Sequence, residues 1–162
     1  MYPTKNSQAS QRSLVFITAE YPFGKQETFI ENEITMLADA FDRIIILPKS
    51  TPGIPRTIPQ NCIIGRLYGS NHHSIGRGTL WKECLRVMGH WAKIKIAYRS
   101  WQSINKRFTQ IKASTKDISG DITYYSYWLD EGAMAAAYLG QREGRRAISR
   151  AHGWDVYPVR HP

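Results

Sequence analysis

The sequence lacks most of the features that identify common classes of site. Its 162 residues hold only two cysteines, Cys62 and Cys84, which have no metal-ligand spacing. No apolar run approaches the roughly 20 residues that cross a bilayer, and the polar residues 1–13 lack the apolar core of a signal peptide. A Walker loop, a nucleophile elbow and a zinc pattern are also missing. We therefore expect a cytoplasmic protein with a disordered tail over residues 1–13 and one domain over 14–162.

Acidic residues are nearly absent from the middle of the chain. From Arg77 to Lys112, nine basic residues accompany one acid, so this segment carries +8 of the formal charge of +9. Near-heptad apolar spacing predicts one helix, or two that break near Gly89 or Lys93. The side chains that would face an anionic membrane are Trp81, Arg86, Lys93, Lys95, Arg99 and Trp101. A crossover helix whose tryptophans face the sheet remains equally open, and no nucleic-acid-binding signature is present.

Short apolar runs alternate with amphipathic segments elsewhere. The predicted strands are residues 14–19, 43–48, 62–64, 121–125 and 146–149. Helices are predicted over about 27–40 and over 129–143, the second capped by Gly144. Strand, helix and strand in succession indicate right-handed βαβ units. The expected fold class is α/β, a Rossmann-like three-layer architecture around a mostly parallel sheet.

The loop from Tyr21 to Thr28 follows the first predicted strand and leads into the first helix. Gly24 would let the backbone approach a ligand, and a helix N-terminus favours anions. With one glycine and no G-x-G-x-x-G pattern, an ordinary strand-to-helix turn is the competing interpretation.

A second candidate site follows the fifth predicted strand. His152 there could position a sugar hydroxyl or stabilise developing charge, and Asp155 could hold its tautomer. Arg150 adds positive charge, while an exposed loop of mixed polar residues is the alternative. The aromatic run around Tyr127, after the fourth strand, could form a platform for a sugar or could simply pack against the core.

Two stretches together resemble a known family. They are Tyr-Pro-Phe-Gly-Lys-Gln-Glu-Thr-Phe-Ile-Glu-Asn-Glu-Ile at 21–34, and Tyr-Ser-Tyr-Trp-Leu-Asp at 125–130 followed by Ile-Ser-Arg-Ala-His-Gly-Trp-Asp-Val-Tyr at 148–157. In this order they resemble the N-terminal half of bacterial family 4 glycosyltransferases, the retaining GT-B enzymes of exopolysaccharide, colanic-acid-type and lipopolysaccharide assembly. Gln26 departs from the pattern, because a small residue is expected there.

The resemblance implies an acceptor-side domain, C-terminally truncated and inactive alone. Gly24, Lys25 and Glu27 would lie near the donor phosphates and acceptor, His152 would face the transferred sugar, and Asp155 would support its loop. The donor nucleotide sugar would bind a second domain that this chain lacks, and no metal or other cofactor is implied. The implied partners are a lipid-linked or glycan acceptor and an anionic membrane surface. A non-catalytic docking module and a gene remnant remain the alternatives.

Overall fold

The computed structural model describes residues 11–65 and 91–153, with the backbone alone for 91–96. The elements in chain order are β1 (Arg12–Thr18), α1 (Ile30–Ala40), β2 (Arg43–Pro48), β3 (Cys62–Ile64), α2 (Trp91–Thr115), β4 (Asp121–Ser126), α3 (Glu131–Glu143) and β5 (Arg146–Ser149). Strands and helices alternate through most of this order, which confirms the predicted α/β class.

The five strands form one sheet in the order β3-β2-β1-β4-β5, and every neighbouring pair is parallel. The order reverses between β1 and β4, since the chain builds outward from β1 in one direction and then in the other. Open α/β sheets bind their ligands beyond the carboxyl ends of the strands at such a reversal. Thr18 and Ser126 therefore mark the edge at which a site is expected.

Side chains alternate along the strands, so that each face of the sheet builds its own core. On one face, Leu14 and Phe16 pack with Ile30 and Ile34 of α1. On the other face the core contains residues of the strands and of two helices; its fully buried members are Val15, Ile17, Ile45, Leu47, Phe108, Ile111, Ile122, Tyr124, Ala135, Ala136 and Leu139. Burial on both faces explains why the strands read as continuous apolar runs rather than alternating ones.

Two helices begin later than the sequence predicts. The chain makes a turn before α1, in which the Ile30 amide donates to the Glu27 carbonyl over 3.2 Å, and the helix starts only at Ile30. Asp130 lies outside α3 as its N-cap, and its side chain accepts from the Gly132 amide. The predicted stop at Gly144 is confirmed, because this glycine takes the left-handed φ of 65° that ends many helices.

The basic segment is helical where it is described. Helix α2 runs unbroken through Lys93, while residues 66–90, including Gly89, lie outside the described part. Arg107 differs from the expected surface cation: it is buried and donates to the Thr18 carbonyl over 2.9 Å and to Gln110 over 2.7 Å. In turn, Gln110 donates to the Pro48 carbonyl over 3.1 Å. None of the helices in the described ranges is long and apolar enough to cross a membrane.

Candidate functional site

The loops that follow β1 and β4 meet at the carboxyl edge of the sheet. The amide of Tyr127 donates to the Ile17 carbonyl over 2.9 Å, so the chain after β4 continues beside the end of β1. The Trp128 indole then donates to Glu27 Oε1 over 2.5 Å. The two stretches 21–34 and 125–130 are thus in direct contact, although about a hundred residues of chain separate them.

Glu27 is the buried centre of the first loop. Its Oε2 accepts from the amides of Glu20 and Tyr21, both over 2.7 Å, and its Oε1 accepts from the Ala19 amide over 3.1 Å. The Trp128 indole is the fourth donor. Because a buried carboxylate needs such partners, the observed role of Glu27 is to hold the loop and join it to the chain after β4.

Gly24 is required by the conformation of the same loop. Its φ is 65°, and a Cβ there would lie 2.2 Å from Oε2 of Glu20. Its amide donates to the Pro52 carbonyl over 3.0 Å, so the close approach is to other parts of this chain. Lys25 follows as an exposed side chain, and no ion pair involves it within residues 11–65 and 91–153.

His152 packs against the aromatic side chains that follow β4. Its ring centroid lies 4.4 Å from that of Trp128 and 5.1 Å from that of Tyr127. Phe29, just before α1, stacks on Tyr127, with 5.3 Å between the two ring centroids. We call Phe29, Tyr127, Trp128 and His152 the aromatic cluster. It draws side chains from three of the segments that reach the carboxyl edge.

Arg150 connects the end of β5 to α1 and to the aromatic cluster. Its Nη1 donates to Glu33 Oε2 over 2.5 Å and to the Tyr127 hydroxyl over 3.0 Å. Tyr125 donates to the other oxygen of Glu33 over 2.7 Å. Burial and this hydrogen bond raise the pKa of Tyr125; burial also raises the pKa of Tyr127, against the opposing effect of Arg150. Both phenols therefore remain protonated donors at neutral pH.

A second polar group lies beside the start of α3. Glu131 Oε1 accepts from Lys49 Nζ over 2.5 Å and from the Ser103 hydroxyl over 2.8 Å. Partial burial would raise the pKa of Glu131, but Lys49, the residue's own backbone amide and Ser103 outweigh it and lower that pKa to about 2. Glu131 and Ser103 also border a cavity of about 540 Å³ between α2 and α3, which we call the α2–α3 cavity.

The structure brings four of the predicted site residues into one network: Glu27, Tyr127, Arg150 and His152. Gly24 and Lys25 share the first loop with Glu27, whereas Asp155 lies outside the described residues. Sequence reasoning missed Phe29, Glu33 and Lys49 as site residues. Phe29 fits the three- and four-residue apolar spacing of the predicted first helix, which favours a packing role, and no local pattern joins Glu33 to a residue 117 positions away.

The predicted membrane-facing residues are only partly described. Trp81 and Arg86 lie outside the described part, as do the side chains of Lys93 and Lys95. Arg99 is exposed and Trp101 is partly buried, with its ring 5.9 Å from that of Tyr98 between centroids. Tyr98 itself is 56% exposed. The described part of α2 thus exposes the side chains of Tyr98 and Arg99 to solvent.

Known proteins give no guide to this arrangement. Comparisons with protein-family models, curated proteins and solved structures find no match. Within residues 11–65 and 91–153, His, Cys, Asp and Glu side chains form no group of three or more that could hold a metal ion. The site must therefore be interpreted from its own chemistry.

Proposed function

We propose that this chain is the acceptor-side, N-terminal part of a retaining GT-B glycosyltransferase of polysaccharide biosynthesis. The observation that carries the proposal is the contact between the two stretches 21–34 and 125–130, with His152 packed on the second of them. The sheet order agrees with it, because β3-β2-β1-β4-β5 is the order of a Rossmann-like half. A second, donor-binding domain would supply the nucleotide sugar.

In the proposed reaction, the bond between the anomeric carbon and the diphosphate of the donor breaks, and a bond to an acceptor oxygen forms. The nucleoside diphosphate leaves with the electron pair, and the proton of the acceptor hydroxyl passes to the departing phosphate oxygen. His152 would position the transferred sugar and stabilise developing charge. Tyr127 and Trp128 hold the imidazole from one side, which restricts its orientation.

Two measurements test this proposal in sequence. The first is the intact mass of the protein from its native cells, which distinguishes a chain of 18.6 kDa from a longer enzyme that contains it. The second is sugar transfer from a panel of nucleotide sugars by the longer enzyme. A longer enzyme that transfers no sugar from any donor would refute the proposal, as would substantial turnover by the 162-residue chain alone.

The role of His152 has its own test in the longer enzyme. We expect His152→Ala to lower kcat about a hundredfold or more, the size of effect typical of a positioned catalytic histidine. His73→Ala is the control, because it removes the same kind of side chain at a position to which the proposal gives no role. Equal rates for the wild type and His152→Ala would remove His152 from the mechanism.

A second candidate function is docking on an anionic membrane through α2. Helix α2 contains six basic residues and no acidic one, and its described part exposes Tyr98 and Arg99. Aromatic and cationic side chains on one helix suit the interface of an anionic bilayer. We expect salt-sensitive co-sedimentation with anionic vesicles and none with neutral ones. Absence of binding to both kinds of vesicle would exclude this function.

A further inference from the structure

The α2–α3 cavity has the size and place of a small-molecule site. Its volume of about 540 Å³ lies inside the roughly 300–1,000 Å³ range of ligand pockets. Its polar wall begins at Asp130, four residues after the end of β4, and thus near the carboxyl edge of the sheet. Four residues of α2 complete the lining: Arg99, Ser100, Ser103 and Ile104.

The charged groups of the cavity balance one another. Glu131 is paired with Lys49 over 2.5 Å, and Asp130 lies 4.0 Å from the same lysine. Arg99 also lines the cavity. With Glu131 already paired to Lys49, the lining is left with one further carboxylate, Asp130, and one cation, Arg99, whose opposite charges favour neither an anionic nor a cationic ligand. The arrangement therefore suits an uncharged ligand.

Hydrogen-bonding capacity remains on the carboxylate wall. The distance of 4.0 Å between Asp130 Oδ2 and Lys49 Nζ exceeds a hydrogen bond, so this oxygen can still accept a ligand hydroxyl. The Ser103 hydroxyl donates its hydrogen bond to Glu131, so the lone pairs of its oxygen remain as acceptors. A ligand with several hydroxyl donors matches such a wall.

Apolar side chains form the rest of the lining. Leu129 and Met134 are 51% and 61% exposed, and both border the cavity. Covering them would recover free energy from apolar burial. A pyranose ring offers C–H faces for such side chains together with hydroxyls for Asp130 and Ser103.

We propose that the α2–α3 cavity binds a neutral saccharide, with Asp130, Glu131 and Ser103 on its hydroxyls and Leu129 and Met134 on its C–H face. This inference rests on the proposed function in one respect, because the bound sugar would be the acceptor. Leu129 borders the cavity on the α2–α3 side of the sheet and directly follows Trp128, which packs on His152 on the α1 side.

The test is methyl NMR of the full 162-residue chain with labelled methionines. The chain has four methionines, and the signals of Met134 and Met36 are assigned from Met134→Ser and Met36→Ser. The probes are the methyl glycosides of glucose, galactose, mannose and N-acetylglucosamine. We expect at least one of them to shift the Met134 signal with a dissociation constant of about 1 mM or weaker, while the signal of Met36, exposed on α1, stays unchanged.

Variants sharpen this result. Met134→Ser should weaken binding about threefold to tenfold through lost apolar contact, Met134→Leu should restore it, and Met36→Ser should have no effect. The proposal is overturned if no glycoside moves the Met134 signal, if both methionines respond alike, or if inorganic phosphate or Mg²⁺ shifts Met134 where sugars do not. Saccharide binding without transfer by the longer enzyme would refute only the proposed function, whereas transfer without binding here would refute only this inference.

Discussion

The chain segments that follow β1 and β4 begin side by side, and each leads to a glutamate, Glu27 or Glu131, whose carboxylate has a different role. After β1, the carboxylate of Glu27 is buried and accepts from three backbone amides and the Trp128 indole. After β4, the carboxylate of Glu131 faces a cavity and shares one oxygen between Lys49 and Ser103. Both oxygens of Glu27 are thus occupied by donors of the protein, whereas the two side-chain donors of Glu131 share one of its oxygens.

The largest loss of stability is expected for Glu27→Ala, which tests whether Glu27 holds its loop. The change leaves three amides and an indole without their acceptor, and we expect a loss of about 3–5 kcal/mol in the free energy of unfolding. Urea denaturation measures it. Glu31→Ala is the control, since that half-exposed side chain pairs with Arg56 at the surface and should cost less than about 1 kcal/mol. Similar losses for both variants would show that Glu27 is not what holds the loop.

A smaller effect separates conformation from packing at Gly24. Gly24→Ala should cost about 2 kcal/mol or more, because φ is positive and the new Cβ would meet Glu20 Oε2 at 2.2 Å. Gly53 also has a positive φ but nothing within 4 Å of its Cβ position, so Gly53→Ala should cost only about 1 kcal/mol. The difference between the two melting temperatures measures the packing contribution, and no difference would mean that Glu20 moves away freely.

The smallest effect concerns Glu131, the first residue of α3. Folding lowers the pKa of Glu131 from 4.5 to about 2, so its ionised form stabilises the fold. This contribution is complete above pH 4.5 and is lost as the pH falls towards 2. The stability advantage of the wild type over Glu131→Gln should therefore shrink across that window. A constant difference between the two proteins throughout this range would contradict the ion pair with Lys49.

The predicted strand limits were most accurate where local chemistry decides them. Strands β2, β3 and β5 have the limits that the sequence predicts, since continuous apolar or β-branched runs end at a proline, a glycine or a charged residue. The start of α1 was predicted three residues too early. Glu27 looks like a first-turn acid, and its real partner, Trp128, lies 101 residues away.

The candidate site could be predicted only in outline. His152 and Tyr127 were named from their positions after strands, and the fold brings them together. The bonds that connect Arg150 to Glu33 and Lys49 to Glu131 could not be predicted, since they depend on which strands become neighbours. The burial of Arg107 could not be predicted for the same reason, because its acceptor on Thr18 is 89 residues away.

Buried Arg107 has a mechanical consequence for α2. If α2 rotated about its axis, the Arg107 guanidinium would lose its hydrogen bond to the Thr18 carbonyl. A buried charge without its acceptor raises the free energy of the folded state. Arg107 therefore fixes the rotation of α2 about its own axis relative to the sheet. A ligand, membrane or partner that binds the exposed face of α2 therefore binds a surface with a fixed orientation relative to the ends of β1 and β2.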